Sequence, residues 1–297
     1  MGTKVNVDEK TLSLTNLEKV LYPSIGFTKG QVIDYYARVS ETILPHLYGR
    51  CITTKRWPDG VEAESFFQKN CPKFHPSWIN LAKGPGDNNS VEYCLVDSKA
   101  SLVWLANLAA LEFHGPMAKA RKLETPTMVV FDLDPGESAD ISNCCTVALE
   151  IRDALEKINL KSFPKTSGGK GMQIYLPINT KAFTHSQASA FAKGIGEVLA
   201  KVLPDLVLTN MGKSLRKGKV LIDWSQNSHH KTTILPYSLR GRDLPYVSTP
   251  LTWEEVQKGS ENKIDLKFLP EDVIQRIETH GDLFSETLTI KQRLGGE

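Results

Sequence analysis

The sequence has 297 residues, with 36 Lys and Arg against 34 Asp and Glu, a formal charge of +2, and 40% hydrophobic and 24% charged residues. This ordinary globular profile holds enough apolar material for a sizeable core, and it has no run near 18 apolar residues, no internal repeat and no low-complexity tract, so a membrane-spanning helix is not expected. A near-neutral total does not exclude a nucleic-acid partner when the basic residues are unevenly placed.

The length suggests one large two-lobed unit or a pair of fused modules. The cysteines, at 51, 71, 94, 144 and 145, include no C-x-x-C pair and none with a His at zinc spacing. Zinc is therefore not expected. The odd count, with no apolar leader in residues 1–10, points to reduced thiols in a cytoplasm.

A short helix is expected over 16–21, carrying Lys19 and stopped at Tyr22-Pro23. Thr28 and Gln31 form a capping-box pattern, and Val32, Tyr35, Tyr36, Val39 and Ile43 recur at helical spacing, which predicts a helix over 29–44 starting with Lys29. A lysine at a helix start adds a side-chain cation to free backbone N–H groups, a natural phosphate seat; two ordinary surface lysines are the alternative. Residues 52–57 and 63–67 read as strands around a Pro58-Asp59-Gly60 turn. Neighbours in a strand face opposite sides, so Phe66 or Phe67 should be exposed or in a cleft. A ring bordered by Lys55, Arg56, Lys69 and Lys73 suits stacking on a base, with burial between two layers equally open. Residues 83–90 read as a loop, 91–96 as a strand and 101–111 as a helix leading into Glu112-Phe113-His114-Gly115-Pro116. His114 would then end an element at a Gly-Pro turn.

The run Val129-Val130-Phe131-Asp132-Leu133-Asp134-Pro135-Gly136 reads as a buried strand with two acids at its exit. At i and i+2 they share a face, two hard oxygen ligands of the kind Mg²⁺ or Mn²⁺ takes in two-metal phosphoryl transfer. Taken alone, a solvated strand end capping a turn is the commoner reading. A helix is expected over 140–158 and a strand over 172–176. Between them, residues 163–171 lack the Walker A spacing but offer Ser167, three glycines and Lys170 for an anion nest; a glycine-rich hairpin turn is the alternative. After a helix over 186–202, Lys213, Arg216, Lys217 and Lys219 occur with no acid between them. The strand 220–224 follows and contains Asp223, a third carboxylate that completes the trio for nucleotidyl transfer. Gln226, Asn227, His229, His230 and Lys231 form a polar loop, the two histidines at the surface, followed by Arg240 and Arg242. A small helical segment closes the chain, with a capping box at Thr252 and Glu255 and a helix begun by Pro270.

In order, Leu14-Thr15-Asn16-Leu17-Glu18-Lys19-Val20-Leu21-Tyr22-Pro23, Gly26-Phe27-Thr28-Lys29-Gly30, Phe66-Phe67-Gln68-Lys69, Leu111-Glu112-Phe113-His114, Phe131-Asp132-Leu133-Asp134-Pro135, Thr166-Ser167-Gly168-Gly169-Lys170-Gly171 and Asp223-Trp224-Ser225-Gln226-Asn227 resemble the polymerase domain of ligase D. That family, in the archaeo-eukaryotic primase superfamily, serves prokaryotic non-homologous end joining. The resemblance implies an α/β (α+β) fold: a primase-like catalytic core with an RNA-recognition-motif-like antiparallel sheet, packed against an N-terminal α/β module. Boundaries are expected near 1–125, 126–245 and 246–297. It implies Asp132, Asp134 and Asp223 as catalytic metal carboxylates for Mn²⁺ or Mg²⁺. His114, Ser167, Lys170, Gln226 and Arg240 would bind an NTP or dNTP. Lys19 and Lys29 would grip a downstream 5′-phosphate, Phe66 and Phe67 would pack on template bases, and Arg216 would organise the primer end. The implied substrates are DNA ends with 3′ overhangs and gapped or 5′-phosphorylated DNA, with a preference for ribonucleotides. Ku and a DNA ligase are the implied partners, in a nucleoid-associated setting. The length leaves no room for the ligase and nuclease often fused to this domain, so a free-standing polymerase or an excised domain is expected.

Three rival readings fit the residues less well. A replicative primase usually carries a zinc-binding cysteine cluster, which the scattered cysteines do not supply. An idle DNA-end-bridging module would leave three carboxylates repelling one another without a cation. A sugar-nucleotide transferase could own the Asp-x-Asp pair but would not explain Lys19, Lys29 or the basic loop.

Overall fold

The computed structural model describes residues 2–85, 91–180 and 183–294. Chain contacts divide it into two compact units, the first comprising Met1–Pro116, Thr232–Ser248 and Phe268–Asp282, the second Met117–Lys231, Thr249–Lys267 and Leu283–Glu297. The expected boundaries lie near 125 and 245. Residues 117–125 belong to the second unit, and the closing segment is shared between both.

The first unit begins with the hairpin β1 (Thr3–Val7) and β2 (Lys10–Leu14), then the pair β3 (Val20–Tyr22) and β4 (Phe27–Thr28). The helix expected over 16–21 is absent. Asn16 takes a left-handed φ of 52°, which breaks a helix, and the chain turns into β3 instead. Helix α1 (Lys29–Arg38) has its Thr28/Gln31 capping box but stops short of 44. At Val39 ψ moves to 4°, and the Ser40 hydroxyl takes the Ala37 carbonyl at 2.9 Å, so α2 (Ser40–Leu47) starts as a separate helix. There follow β5 (Thr53–Arg56), β6 (Phe66–Gln68), β7 (Leu81–Gly84), β8 (Val91–Cys94), α3 (Lys99–Asn107) and β9 (Ala110–Pro116). Of the loop expected over 83–90, Lys83 and Gly84 are in β7, while 86–90 lie outside the described residues. The α3 helix ends early because Ala109 adopts a left-handed φ of 57°; the apolar residues beyond it, and His114 with them, form a strand. The sheet order is β17 (Thr232–Ile234), β9, β5, β6, all neighbours antiparallel. α7 (Pro270–His280) also belongs to this unit.

One cysteine expectation fails here. Cys71 and Cys94 are disulfide-bonded, 23 residues apart, while Cys51, Cys144 and Cys145 are free and buried. Sequence spacing could not show the pair, because it depends on the segment after β6 lying along β8, where the Cys71 N–H donates to the Glu92 carbonyl at 2.7 Å.

In the second unit, β10 (Ala118–Lys119) and β11 (Lys122–Pro126) lead into β12 (Met128–Pro135), α4 (Ile141–Glu156), β13 (Phe163–Thr166), β14 (Met172–Pro177), α5 (His185–Val202), β15 (Val207–Leu208) and β16 (Val220–Asp223). The sheet order β13-β14-β12-β16-β15, read with α4 and α5, is a β-α-β-β-α-β arrangement, the expected RNA-recognition-motif type. It departs from a fully antiparallel sheet only at the edge, where β15 runs parallel to β16. Asp140 caps α4 and Thr184 caps α5, and α6 (Trp253–Ser260) starts at the Thr252/Glu255 box. Leu133, Met172 and Ile222 are register partners on one sheet face, against which α5 packs through Gly196. Alternation sends Asp132 and Asp134 to the other face. Among the described residues no helix is long and apolar enough to cross a membrane.

Candidate functional site

In the second unit the three acids lie on one sheet face because of strand register. Asp132 is paired with Asp223 on one side and with Gln173 on the other, and Gln173 with Lys165 beyond it, giving the cross-strand row Lys165, Gln173, Asp132, Asp223. Asp134 follows two residues on. The Gln173 amide donates to Asp132 Oδ1 at 3.0 Å. Asp223 Oδ1 accepts from the Ser225 N–H at 2.9 Å and from its hydroxyl, and Oδ2 meets Lys231 Nζ at 3.3 Å. No three His, Cys, Asp or Glu side chains among the described residues are grouped to hold a metal ion.

Lys165, Lys231 and Arg216 offset the acids of this face only in part. Burial, then the Asp134 charge, push the Asp132 carboxyl up to about 7, against the Gln173 hydrogen bond. Lost hydration and the Asp223 charge raise Asp134, against Arg216 and Lys231. Two carboxyls raised by burial and by neighbouring charge, with a third acid beside them, are a donor set that suits a hard divalent cation.

The basic loop stands beside these acids. Gly136 N–H donates to the Lys219 carbonyl at 2.8 Å and Gly218 N–H to Glu137 at 2.7 Å, and a Cβ on Gly136 would lie 1.8 Å from the Arg216 carbonyl oxygen. Arg216 is half-buried and donates to the Met211 carbonyl at 2.8 Å. Residues 167–171 form the turn of the β13-β14 hairpin. The amides of Gly169 and Gly171 point at the Ser167 hydroxyl, both at 3.2 Å, and Lys170 is exposed. Gln226 lies in the 3-10 turn Trp224–Asn227. The His229 ring stands between those of His185 and His230, with Glu124 at 3.3 Å.

Within the first unit, Glu112 is buried between two of the anticipated nucleotide residues. His114 Nε2 lies 2.7 Å from one carboxylate oxygen, and Arg240 Nε 3.4 Å from the other, which also accepts the Gly241 N–H at 3.0 Å. Phe66 and Phe67 are both exposed, at 44% and 58%, so neither fills a core. Arg56 lies 5.2 Å from the Phe66 ring centre and Lys55 5.1 Å from that of Phe67.

The phosphate seat expected at the α1 start is altered. Lys29 N–H and Gly30 N–H donate to the Lys19 and Leu17 carbonyls, each at 2.8 Å, and Gln31 N–H to Thr28, so the first-turn amides are already engaged. What remains are side-chain cations. Lys19 is paired with Asp59 at 2.6 Å, and Lys29 is buried, with burial first and then Lys19 and Arg56 lowering it to about 8.

Several contributors were not singled out from sequence. Lys231 and Gln173 carried no motif of their own. Asn227, fully buried, accepts from Val130 N–H and donates to its carbonyl, both at 2.8 Å, fixing the strand that carries the acids. Glu112 was visible only as an acid two residues before His114.

A family model described as LigD, primase-polymerase domain, matches residues 28–284, and the chain belongs to that family of primase-polymerase nucleotidyltransferases. Among its relatives, the multifunctional non-homologous end joining protein LigD of Mycolicibacterium smegmatis is 40% identical over 92% of this chain and 35% of its own length. The multifunctional non-homologous end joining DNA repair protein LigD of Mycobacterium tuberculosis is 41% identical over 94% of this chain and 37% of its own. The chain thus spans a little over a third of the length of these relatives. A solved structure, the polymerase domain from Mycobacterium tuberculosis ligase D in complex with DNA, superposes with a TM-score of 0.87 at 39% identity, covering 95% of this chain and 99% of that one.

Proposed function

We propose that this chain fills gaps and extends 3′ ends at double-strand breaks, joining nucleotides onto a primer on a DNA template in prokaryotic non-homologous end joining. The observation that carries the reading is the register of Asp132 against Asp223, with Asp134 on the same face. Asp132, Asp134 and Asp223 would hold Mg²⁺ or Mn²⁺, which would supply charge neutralisation for the triphosphate and a lowered pKa for the attacking hydroxyl. Binding requires Asp223 to turn from Ser225 and Lys231; Gln173 keeps one Asp132 oxygen and leaves the other for a ligand.

Ser167, Lys170, Gln226, His114 and Arg240 are assigned to the incoming nucleotide, with preference for ribonucleotides. Arg216 is assigned to the primer end, Phe66 and Phe67 to template bases, and Lys19 and Lys29 to the 5′-phosphate of a downstream strand. The exposed phenyl rings over cations favour stacking, which is tolerant of base identity. Ku and a ligase complete the reading as partners, in a nucleoid-associated, cytoplasmic setting.

The test is extension of a labelled primer opposite a short gap, with ribo- or deoxynucleotides, Mg²⁺ or Mn²⁺, and with or without a downstream 5′-phosphate. Ribonucleotide addition stimulated by the phosphate is expected. Phosphate-dependent binding with no addition under any condition would leave an end-bridging module instead.

A further inference from the structure

Glu112 is 3% exposed, and a buried carboxylate persists only where its lone pairs are satisfied. Here His114 Nε2 and the Gly241 N–H bond it, while Arg240 Nε stands 3.4 Å away as an ion-pair neighbour that makes no hydrogen bond, all within the first unit. The approach of Gly241 is forced by packing. A Cβ at that position would stand 2.2 Å from the Trp57 indole, so only glycine lets this backbone reach the carboxylate. The Arg240 N–H and carbonyl are also fixed, bonded to the Tyr246 carbonyl and the Tyr22 hydroxyl, each at 2.8 Å. Register adds a third group on the same face: Glu112 is directly opposite Lys55, and Lys55 directly opposite Phe67, whose ring also meets His114 edge-on at 5.6 Å.

An ionised carboxylate only accepts hydrogen bonds, so the 2.7 Å contact requires His114 to donate from Nε2. Burial lowers the histidine pKa, so near neutral pH it is the neutral ring that makes this bond. The remaining nitrogen, Nδ1, is then an acceptor. It cannot bond a phosphate oxygen, itself an acceptor, but it can accept from a hydroxyl.

We propose that Glu112 is a positioning residue that fixes His114 in its Nε2–H tautomer and so presents Nδ1 as the acceptor for a sugar hydroxyl of the nucleotide, while it steadies Arg240 for phosphate. This rests on the nucleotide-polymerising reading above. Glu112 itself touches no substrate. Its replacement by an amide of the same size would offer an N–H to Nε2 and drive the ring to the opposite tautomer.

The experiment uses the whole chain with ¹⁵N-labelled histidine, the His114 signals being assigned by their loss in His114→Ala. The wild type should show the Nε2–H pattern and Glu112→Gln the Nδ1–H pattern. In primer extension Glu112→Gln should raise KM for a ribonucleotide at least about tenfold, and that increase should shrink for the 2′,3′-dideoxy analogue. Adding Glu112→Gln to His114→Ala should cost little more. A wild-type Nδ1–H pattern, an unchanged tautomer in Glu112→Gln, or an equal KM penalty for the dideoxy analogue would overturn the proposal. Absence of any nucleotide addition by the wild type would instead count against the polymerising reading, while the tautomer measurement, which needs no turnover, still decides what Glu112 does.

Discussion

Asp132 and Asp223 face each other directly across two antiparallel strands, one carboxylate held by Gln173 and the other by Ser225 and Lys231. Like charges opposite each other in a sheet are destabilising, so these acids weaken the metal-free fold for the sake of what they bind.

Replacing Asp134 by Asn removes one charge from this face. Without divalent cations the variant should be more stable than wild type, by about 0.5–1 kcal/mol in urea unfolding. Mn²⁺ should raise the melting temperature of the wild type and have much less effect on the variant.

The downstream-phosphate preference should depend on pH through Lys29. Its folded-state value of about 8 is below the ordinary 10.5, so the ammonium is present below pH 8 and lost above it. Phosphate-stimulated binding to gapped DNA should fall between pH 7 and 9, and Lys29→Ala should remove it at every pH while sparing extension on plain template. The sign for stability is opposite: burying this cation costs the fold most below pH 8, and that cost is relieved as pH rises from about 8 toward 10.5.

Gly136→Ala should move the basic loop. The new methyl would overlap the Arg216 carbonyl, and backbone on both sides leaves no flexible side chain to yield. A stability loss of about 2 kcal/mol is expected in thermal unfolding, with primer extension impaired more than DNA end binding.

Asn227→Ala should leave the N–H and carbonyl of Val130 without their partner in a buried strand. A loss of about 2–3 kcal/mol follows from two orphaned groups, measurable as a lower urea midpoint with an unchanged slope.

The acid strands were legible because period-two alternation is local: Asp132 and Asp134 share a face whatever lies around them, and β16 ends in Asp223. Helices α4 and α5 stand close to the expected 140–158 and 186–202, and their caps at Asp140 and Thr184 emerged with the structure. Other features depended on geometry that residue type does not encode. Left-handed conformations at Asn16 and Ala109 interrupt two helices that the sequence led one to expect. The first two amides of α1 were taken up by carbonyls ten or more residues away, and Cys71 met Cys94 only because the irregular segment after β6 runs along β8. Glu112 follows the expected helix with no signal of its own; its burial against His114 and the Gly241 N–H emerges only in the folded chain.

The central claim is that the three aspartates support templated nucleotide addition. The most direct measurement is single-turnover incorporation of a radiolabelled ribonucleotide at a gapped DNA end by the wild type, Asp132→Asn and Asp223→Asn, with binding to the same DNA measured in parallel. Incorporation by the wild type is expected, with a loss of at least about a hundredfold in each variant and unchanged DNA binding. Incorporation by either variant at the wild-type rate would contradict it.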